Sequence, residues 1–382
     1  MKLPQGFRAV GVRAGLKVSG KPDLSLIYSA DPLVWSLTTT RNLLQAACVT
    51  RNRVRLDSTD PVHAVVINSG NANCATGDQG VTDNTEMARL VADALDLASP
   101  DTVLTASTGI IGRHLDMAKL REQIPNLKDQ LGDDTDALAR AILTTDLVSK
   151  TAEVTLPGGG RIVGVAKGSG MIHPNMATML AFVMTDVVVD QTTLRTLWAR
   201  IVADSFNQIT VDGDTSPNDM ALVLSSGRVS ADAEGFAGGL EHLAQDLTKQ
   251  IARDGEGATK LLTIRVRGAD SVTDARSAAR TVASSSLFKA AVHGNDPNWG
   301  RIVSAVGRSN ATVDMDRLRV SVQDVVVYHG LPQPFDAKAL SQAMDTEDVI
   351  VDIDLAVGDK SASAWGCDLS KEYVTINADY HT

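Results

Sequence analysis

The chain has 382 residues, 43% of them hydrophobic, 21% charged and 4% aromatic, which fits a soluble globular protein of one large or two smaller domains. A net charge of -10 argues against nucleic-acid or anionic-membrane partners, and no apolar run reaches the roughly 18 residues expected of a membrane span. Cys48, Cys74 and Cys367 are an odd number and far apart, which suits reduced thiols in the cytoplasm better than a disulfide frame or a zinc site.

Read from the N-terminus, Met1-Lys2-Leu3-Pro4-Gln5-Gly6-Phe7-Arg8 lacks the apolar core of a secretory signal. Ala64-Val65-Val66-Ile67 is a short, β-branched run that predicts a strand covered on both faces. Asp83, with Glu86 three residues on, has the form of a capping box, after which Met87, Leu90, Val91 and Leu95 share one helical face. Val183 through Val189 predicts a second buried strand. Leu194, Leu197, Trp198, Ile201 and Val202 mark a helix, as do Leu240, Leu243, Leu247 and Ile251. These stripes are core-facing surfaces rather than cofactor boxes. Ile264-Arg265-Val266-Arg267 and Val349 through Leu355 alternate instead, which predicts strands with one wet face. Strands and helices interleave throughout, so the fold class is α/β or α+β in layers. The glycine-rich Asp254-Gly255-Glu256-Gly257 is the best candidate for a domain junction, dividing the chain into 1–258 and 259–382.

Three polar, glycine-rich clusters carry the candidate chemistry. Asn68 through Gly77 follows a buried strand, a place where loops meet ligands, although a self-contained turn explains it as well. Ser107-Thr108-Gly109-Ile110-Ile111-Gly112 offers small residues whose backbone N–H groups could face an oxyanion, or simply a loop. The third cluster runs Lys167-Gly168-Ser169-Gly170-Met171-Ile172-His173-Pro174-Asn175-Met176-Ala177-Thr178-Met179-Leu180. Glycines and a proline shape its approach to an apolar strand, with a lysine ahead of a threonine that folding does not require.

This segment resembles the processing site of the glutamate N-acetyltransferases, also called ornithine acetyltransferases, of arginine biosynthesis. The likeness runs along almost the whole chain. It includes Ser19-Gly20-Lys21-Pro22-Asp23, Thr210-Val211-Asp212-Gly213-Asp214-Thr215 and Asp254 through Lys260. Asp296-Pro297-Asn298-Trp299-Gly300-Arg301-Ile302, Ala364-Trp365-Gly366-Cys367-Asp368 and Ile376-Asn377-Ala378-Asp379-Tyr380-His381-Thr382 continue it. The resemblance implies an αββα sandwich like that of N-terminal-nucleophile enzymes. A smaller C-terminal α/β domain would send its tail back to the active site.

The same resemblance implies the chemistry. The chain would cut itself between Ala177 and Thr178, leaving an alpha piece of 1–177 and a beta piece of 178–382, expected as a heterotetramer of two each. Thr178 would then own both a hydroxyl nucleophile and an α-amine base with a pKa of about 8. It would carry acetyl from N-acetylornithine to glutamate, with acetyl-coenzyme A left open as a second donor. Thr108 and Gly109 would form the oxyanion hole. Thr145, Lys167, Thr178, Glu256, Asn377 and Thr382 would contact substrate, with the choice between Thr144 and Thr145 unsettled. No cofactor is implied, and the seven histidines show no metal-ligand spacing. His173 stands where the family often has a small residue, and the stretch from Val34 to Cys48 also departs from the pattern. Two other readings stay open: an N-terminal-nucleophile aminopeptidase or amidase, and a non-catalytic relative that binds an amino acid.

Overall fold

The structure, a computed structural model, describes residues 1–56, 58, 60–173 and 179–379. Its first sheet runs in the order Val103–Ile110, Val62–Asn71, Leu24–Thr39, Met220–Val229, Leu180–Val187, Arg161–Lys167 and Lys150–Thr155, with Arg8–Val12 also paired to Leu24–Thr39. The 16-residue strand Leu24–Thr39 serves two neighbourhoods. Its first part pairs with Val62–Asn71, its register shifts between Tyr28 and Leu33, and Val34 through Thr39 then pair with Met220–Val229. The sheet thereby folds over on itself.

Side-chain alternation shows the layering. Ile27, Val65, Ile67 and Leu104 from one half meet Phe182, Met184, Leu222 and Leu224 from the other in a single core. The reverse face of the first half, with Leu26, Val66 and Val103, packs under the helices Gly77–Ala94 and Met117–Gln123. The reverse face of the second half, with Val183, Ala221 and Val223, packs under Gln191–Asp204 and Ala233–Arg253. The order is helix, sheet, sheet, helix, the αββα sandwich that the resemblance implied. Trp198 anchors the second outer layer, fully buried with its indole N–H donated to the Ala221 carbonyl at 3.0 Å. Removing such a side chain typically costs about 3–5 kcal/mol.

A second sheet runs Leu331–Pro332, Val325–His329, Arg319–Val322, Asp348–Asp354, Leu261–Ala269, Lys360–Cys367 and Ile209–Thr210. Its inner face, with Ile264, Val266, Val351 and Ile353, packs on Val272–Ala283, Ser286–His293 and Trp299–Gly307. On the opposite face Arg267 pairs with Asp354 at 3.1 Å, so the alternation in sequence does mark one wet face. Six strands lie beyond residue 260, but Ile209–Thr210 comes from the earlier part of the chain.

Two local expectations need correction. The helix expected to start at Asp83 begins at Gly77, and Asp83 lies buried inside it, accepting from Gln79 Nε2 at 2.7 Å. Glu86 is not a capping partner either, since its carboxylate is held by Arg121 at 2.8 and 2.9 Å. The buried run from Val183 ends as a strand at Val187, not Val189. The helices marked by Leu194 and Leu240 are present, each started by an aspartate side chain, Asp190 and Asp232, that accepts from first-turn amides.

Candidate active site

The sequence places polar clusters after buried strands. The structure instead makes the strand ends themselves polar. Val62–Asn71 and Val103–Ile110 run parallel with Asn68 beside Ser107, Ser69 beside Thr108 and Gly70 beside Gly109. Gly109 has φ +133°, and a Cβ there would lie 2.3 Å from the Gly70 carbonyl carbon. No side chain fits at that close approach. Thr108 is thus presented at the end of a well-paired strand, 7% exposed.

Lys167 ends the strand Arg161–Lys167 and is 3% exposed. Its Nζ donates to Thr108 Oγ1 at 3.5 Å, a long bond. Burial lowers the ammonium's pKa, and Asp146 opposes that shift. Asp146 is the organising carboxylate of this side. Its Oδ1 accepts from Lys150 Nζ at 2.7 Å and from the Gly168 amide at 2.6 Å, while Oδ2 accepts from the Thr144 amide at 2.9 Å. Burial pushes its pKa up, but Lys167 and Lys150 outweigh that and hold it far below the carboxylate range. Lys150, itself fully buried, also donates to Asp254. One network therefore ties Thr144, Lys167, Gly168 and the 254–257 turn together.

The approach segment is fixed by a different carboxylate. The amides of Met171 and Ile172 donate to Asp212 at 2.6 and 2.8 Å, and Met171 takes φ +57°. Ile172 then bridges Thr215. Beside this turn the Glu256 amide donates to the Ser169 carbonyl at 3.0 Å. Its carboxylate occupies the space that a Cβ on Gly170 would take, 2.3 Å from Oε2. The tail helix Lys371–Asp379 closes over it, and Asn377 Nδ2 donates to Glu256 Oε2 at 2.9 Å. The stretch 254–257, read from sequence as a junction, is also part of this site.

These groups surround a cavity of about 170 Å³ whose lining includes Thr108, Gly109, Thr144, Thr145, Lys167, Gly170, Ser216, Asn218, Glu256 and Asn377. A buried ammonium and hydroxyl stand on one side, a carboxylate and an amide on the other. That arrangement suits a small molecule bearing both an anionic oxygen and an amine. Thr108, Gly109, Thr145, Lys167, Glu256 and Asn377 are therefore brought together, and Thr144 lines the same space as Thr145. Ala177, Thr178 and Thr382 lie outside the described residues.

Sequence reading missed the wall formed by residues 216–219. Asn218 Nδ2 donates to the carbonyls of Ala72 and Ser107 at 2.7 and 2.8 Å, locking the threonine-bearing strand in place. Asp219 is 1% exposed, and its Oδ1 accepts from the Met179 amide at 2.8 Å. Its Oδ2 has no partner among the described residues. Burial raises its pKa well above that of an ordinary aspartate, against the pull of the Met179 amide and Lys167. The signal available in sequence was the polar run Ser216-Pro217-Asn218-Asp219 directly before the apolar strand Met220–Val229, the same pattern that drew attention to the other clusters.

His173 turns away from this cavity. Its Nδ1 lies 3.0 Å from Thr210 Oγ1, and burial, with the Arg280 and Lys289 charges, lowers its pKa to about 4. Among the described residues, no group of three or more His, Cys, Asp or Glu side chains is placed to hold a metal ion. No helix among them is long and apolar enough to cross a membrane.

Similarity to known proteins covers the whole chain. The arginine biosynthesis bifunctional protein ArgJ of Deinococcus radiodurans is 53% identical over 381 residues, covering 100% of this chain and 98% of that one. The protein of the same name from Thermus thermophilus is 50% identical over 383 residues and is covered in full, as is this chain. Among solved structures, arginine biosynthesis bifunctional protein argJ from Bacillus halodurans superposes with a TM-score of 0.51 at 38% identity, covering 53% of this chain and 100% of that chain. Residues 8–382 match the ArgJ family, and with identities of this size over complete lengths the chain belongs to that family.

Proposed function

We propose that this chain is an acetyltransferase of arginine biosynthesis that cuts itself between Ala177 and Thr178. It then moves an acetyl group from N-acetylornithine to glutamate through an ester on Thr178. The observation that carries the reading is the convergence of Thr108, Gly109, Thr145, Lys167, Glu256 and Asn377 on one cavity. The strand Leu180–Val187 starts two residues after Thr178 and pairs directly with the strand that ends at Lys167.

In processing, the Thr178 hydroxyl attacks the Ala177 carbonyl, and water opens the resulting ester to free the threonine α-amine. In turnover, that amine takes the hydroxyl proton as oxygen attacks the acetyl carbonyl of the donor. The tetrahedral oxyanion is stabilised by Thr108 and Gly109, a donor type worth about 10²–10³-fold when intact. Ornithine leaves with the proton, glutamate's amine attacks the ester, and the threonine hydroxyl is restored. Thr145, Asn377 and Thr382 hold substrate alongside Lys167, which faces a carboxylate, and Glu256, which faces an ammonium. The reaction exchanges amide for amide and needs no cofactor.

After the cut the pieces 1–177 and 178–382 stay joined, because Arg161–Lys167 and Leu180–Val187 are neighbouring strands of one sheet. The Bacillus halodurans structure supports two pieces, since the chain it contains is matched in full yet covers 53% of this chain, close to the share of residues 178–382. Two copies of each piece form a heterotetramer in the cytoplasm, with residues 1–258 as the nucleophile-bearing domain and 259–382 as the smaller one. The test is mass spectrometry with N-terminal sequencing. The larger piece should begin Thr-Met-Leu-Ala-Phe, and N-acetylornithine alone should add one acetyl mass to it and none to residues 1–177. An uncut active chain, or free acetate released without need of glutamate, would overturn the transferase reading, the latter in favour of an amidase.

A further inference from the structure

The wall formed by residues 216–219 holds a hydrogen-bonding atom that the fold leaves idle. Asn218 lines the active cavity and is 5% exposed. Its Nδ2 donates to the carbonyls of Ala72 and Ser107 at 2.7 and 2.8 Å, and lies 3.9 Å from Cys48 Sγ. Those carbonyl oxygens can only accept, so the nitrogen end of the amide must face them, with both of its hydrogens engaged. The backbone is fixed as well, the Asn218 amide donating to Ser216 Oγ at 3.1 Å. Asn218 Oδ1, by contrast, is buried and accepts from no described residue. A buried amide oxygen without a donor is costly. The side chain cannot turn to relieve it without giving up two bonds.

The placement gives this oxygen a use. Ser107, which Asn218 holds, directly precedes Thr108 and Gly109, the pair proposed to receive the oxyanion. Asn218 stands two residues ahead of Met220, as Thr178 stands two ahead of Leu180, and Met220 and Leu180 are partners in parallel strands. The other groups of the cavity address different parts of a ligand. Lys167 and Thr108 offer hydrogens, and Glu256 offers a charge shared with Asn377. A neutral acceptor beside them fits a neutral N–H, and a secondary amide carries one such hydrogen on the very atom that departs.

We infer that Asn218 Oδ1 accepts the N–H of the substrate's reacting nitrogen, which makes the site selective for acyl groups carried on a nitrogen that bears a hydrogen. The inference rests on the proposed acetyl transfer through Thr178. As the threonine oxygen bonds to the acetyl carbon and the carbon–nitrogen bond breaks, the nitrogen takes up the proton that the α-amine drew from the hydroxyl. Its original hydrogen stays bonded to the nitrogen and directed at Oδ1, which turns the nitrogen lone pair toward the incoming proton. In the second half the amine of glutamate attacks the ester. One of its hydrogens passes by way of the α-amine to the threonine oxygen, and another stays directed at Oδ1.

The first arm of the test uses the unaltered protein and two inert ligands. One is ornithine with a methanesulfonamide on its α-amine, and the other is the sulfone in which a methylene group replaces that N–H. Neither can pass on an acetyl group, so calorimetric titration reads binding alone. The sulfonamide should bind more tightly by roughly 3-fold to 10-fold. Equal affinities, or binding of neither ligand, overturn the inference. The second arm compares transfer to glutamate from N-acetylornithine and from its ester counterpart, with oxygen in place of the amide N–H. Asn218→Ala should lower kcat/KM for the amide donor by roughly 10-fold more than for the ester. Asn218→Asp keeps an oxygen but loses both donors, so it should slow both substrates while holding the parent's ratio of amide to ester within about 3-fold. A side chain that merely locks Ser107 in place would slow both substrates by one common factor in Asn218→Ala, and that result overturns the inference. Where the variants do not fold, the first arm decides. A parent that prefers the sulfonamide yet transfers no acetyl group would instead sink the proposed function and leave the contact standing.

Discussion

Asp146 and Asp219 flank the same row of strand residues, Lys167, Leu180 and Met220, and both are almost wholly removed from water. Their surroundings differ. Asp146 sits between two ammonium groups and three further donors, the Thr144 amide and hydroxyl and the Gly168 amide, and is held ionised. Among the described residues Asp219 accepts from one backbone amide, that of Met179, and its Oδ2 has no partner, so burial drives it toward its neutral form. The first arrangement is that of a scaffold whose charges satisfy one another. The second holds the chain at Met179 with an oxygen to spare among the described residues. The comparison teaches that one wall of the site is a satisfied scaffold, while the other keeps a reluctant charge beside the segment proposed to react.

The strongest test removes the proposed nucleophile and leaves both walls in place. Thr178→Ala should give an uncut, folded chain with no measurable acetyl transfer, since neither processing nor turnover retains a nucleophile. Gel electrophoresis, mass spectrometry and a transfer assay would check it. Thr178→Ser keeps a hydroxyl and should still cut. Normal transfer by the alanine variant would remove the basis for assigning the two walls to a common reaction.

The two aspartates should next separate by pH. Asp146 has a lowered pKa in the fold, so its stabilisation is present above the unfolded value of about 3.9 and is lost as pH falls below it. Asp219 has a raised pKa, so the fold favours its proton. Its contribution is present below about 3.9 and is lost as pH rises through the folded value. Asp146→Asn leaves the buried Lys150 and Lys167 undercompensated and should cost about 3–5 kcal/mol near neutral pH, shrinking in acid. Asp219→Asn keeps an oxygen for the Met179 amide and removes the reluctant charge. It should change stability by no more than about 1 kcal/mol and gain relative to the parent as pH rises. Urea unfolding across pH would show the opposite slopes, and parallel slopes would erase the distinction between the walls.

How far this was legible in sequence depended on whether the signal was local. Alternation in Ile264 through Arg267 marked a strand with one wet face, because period two is set by the chain itself. The stripes at Leu194 and Leu240 marked helices for the same reason. Asp83 misled, because a helix that starts at Gly77 carries the acidic pair in its interior, where Gln79 and Arg121 occupy it. Thr108, Lys167, Glu256 and Asn377 were found through a likeness to a family, since four residues so far apart share no periodicity. Asp219 and Asn218 were missed because their meaning lies in partners 40 and more positions away, Met179, Ala72 and Ser107.

A smaller effect than that at Asp146 is expected at Glu256, whose carboxylate shares no hydrogen bond with either aspartate and so sharpens the division between them. Its carboxylate fills the gap left by Gly170 and accepts from Asn377, which comes from the last described helix. Glu256→Gln preserves size and leaves an oxygen for Asn377, but turns a charge-assisted bond to a substrate ammonium into a neutral one of about half the strength. A loss of about 1–2 kcal/mol corresponds to roughly 5-fold to 30-fold in kcat/KM for transfer from N-acetylornithine to glutamate. Self-cleavage uses no ammonium ligand at this position, so its rate should stay within about 2-fold of the parent. Gly170→Ala, whose Cβ would displace the same carboxylate, should reproduce the transfer defect with the charge retained. Equal slowing of cleavage and transfer by Glu256→Gln would place the residue in the scaffold with Asp146, and unchanged transfer would remove the proposed contact between its charge and the substrate ammonium.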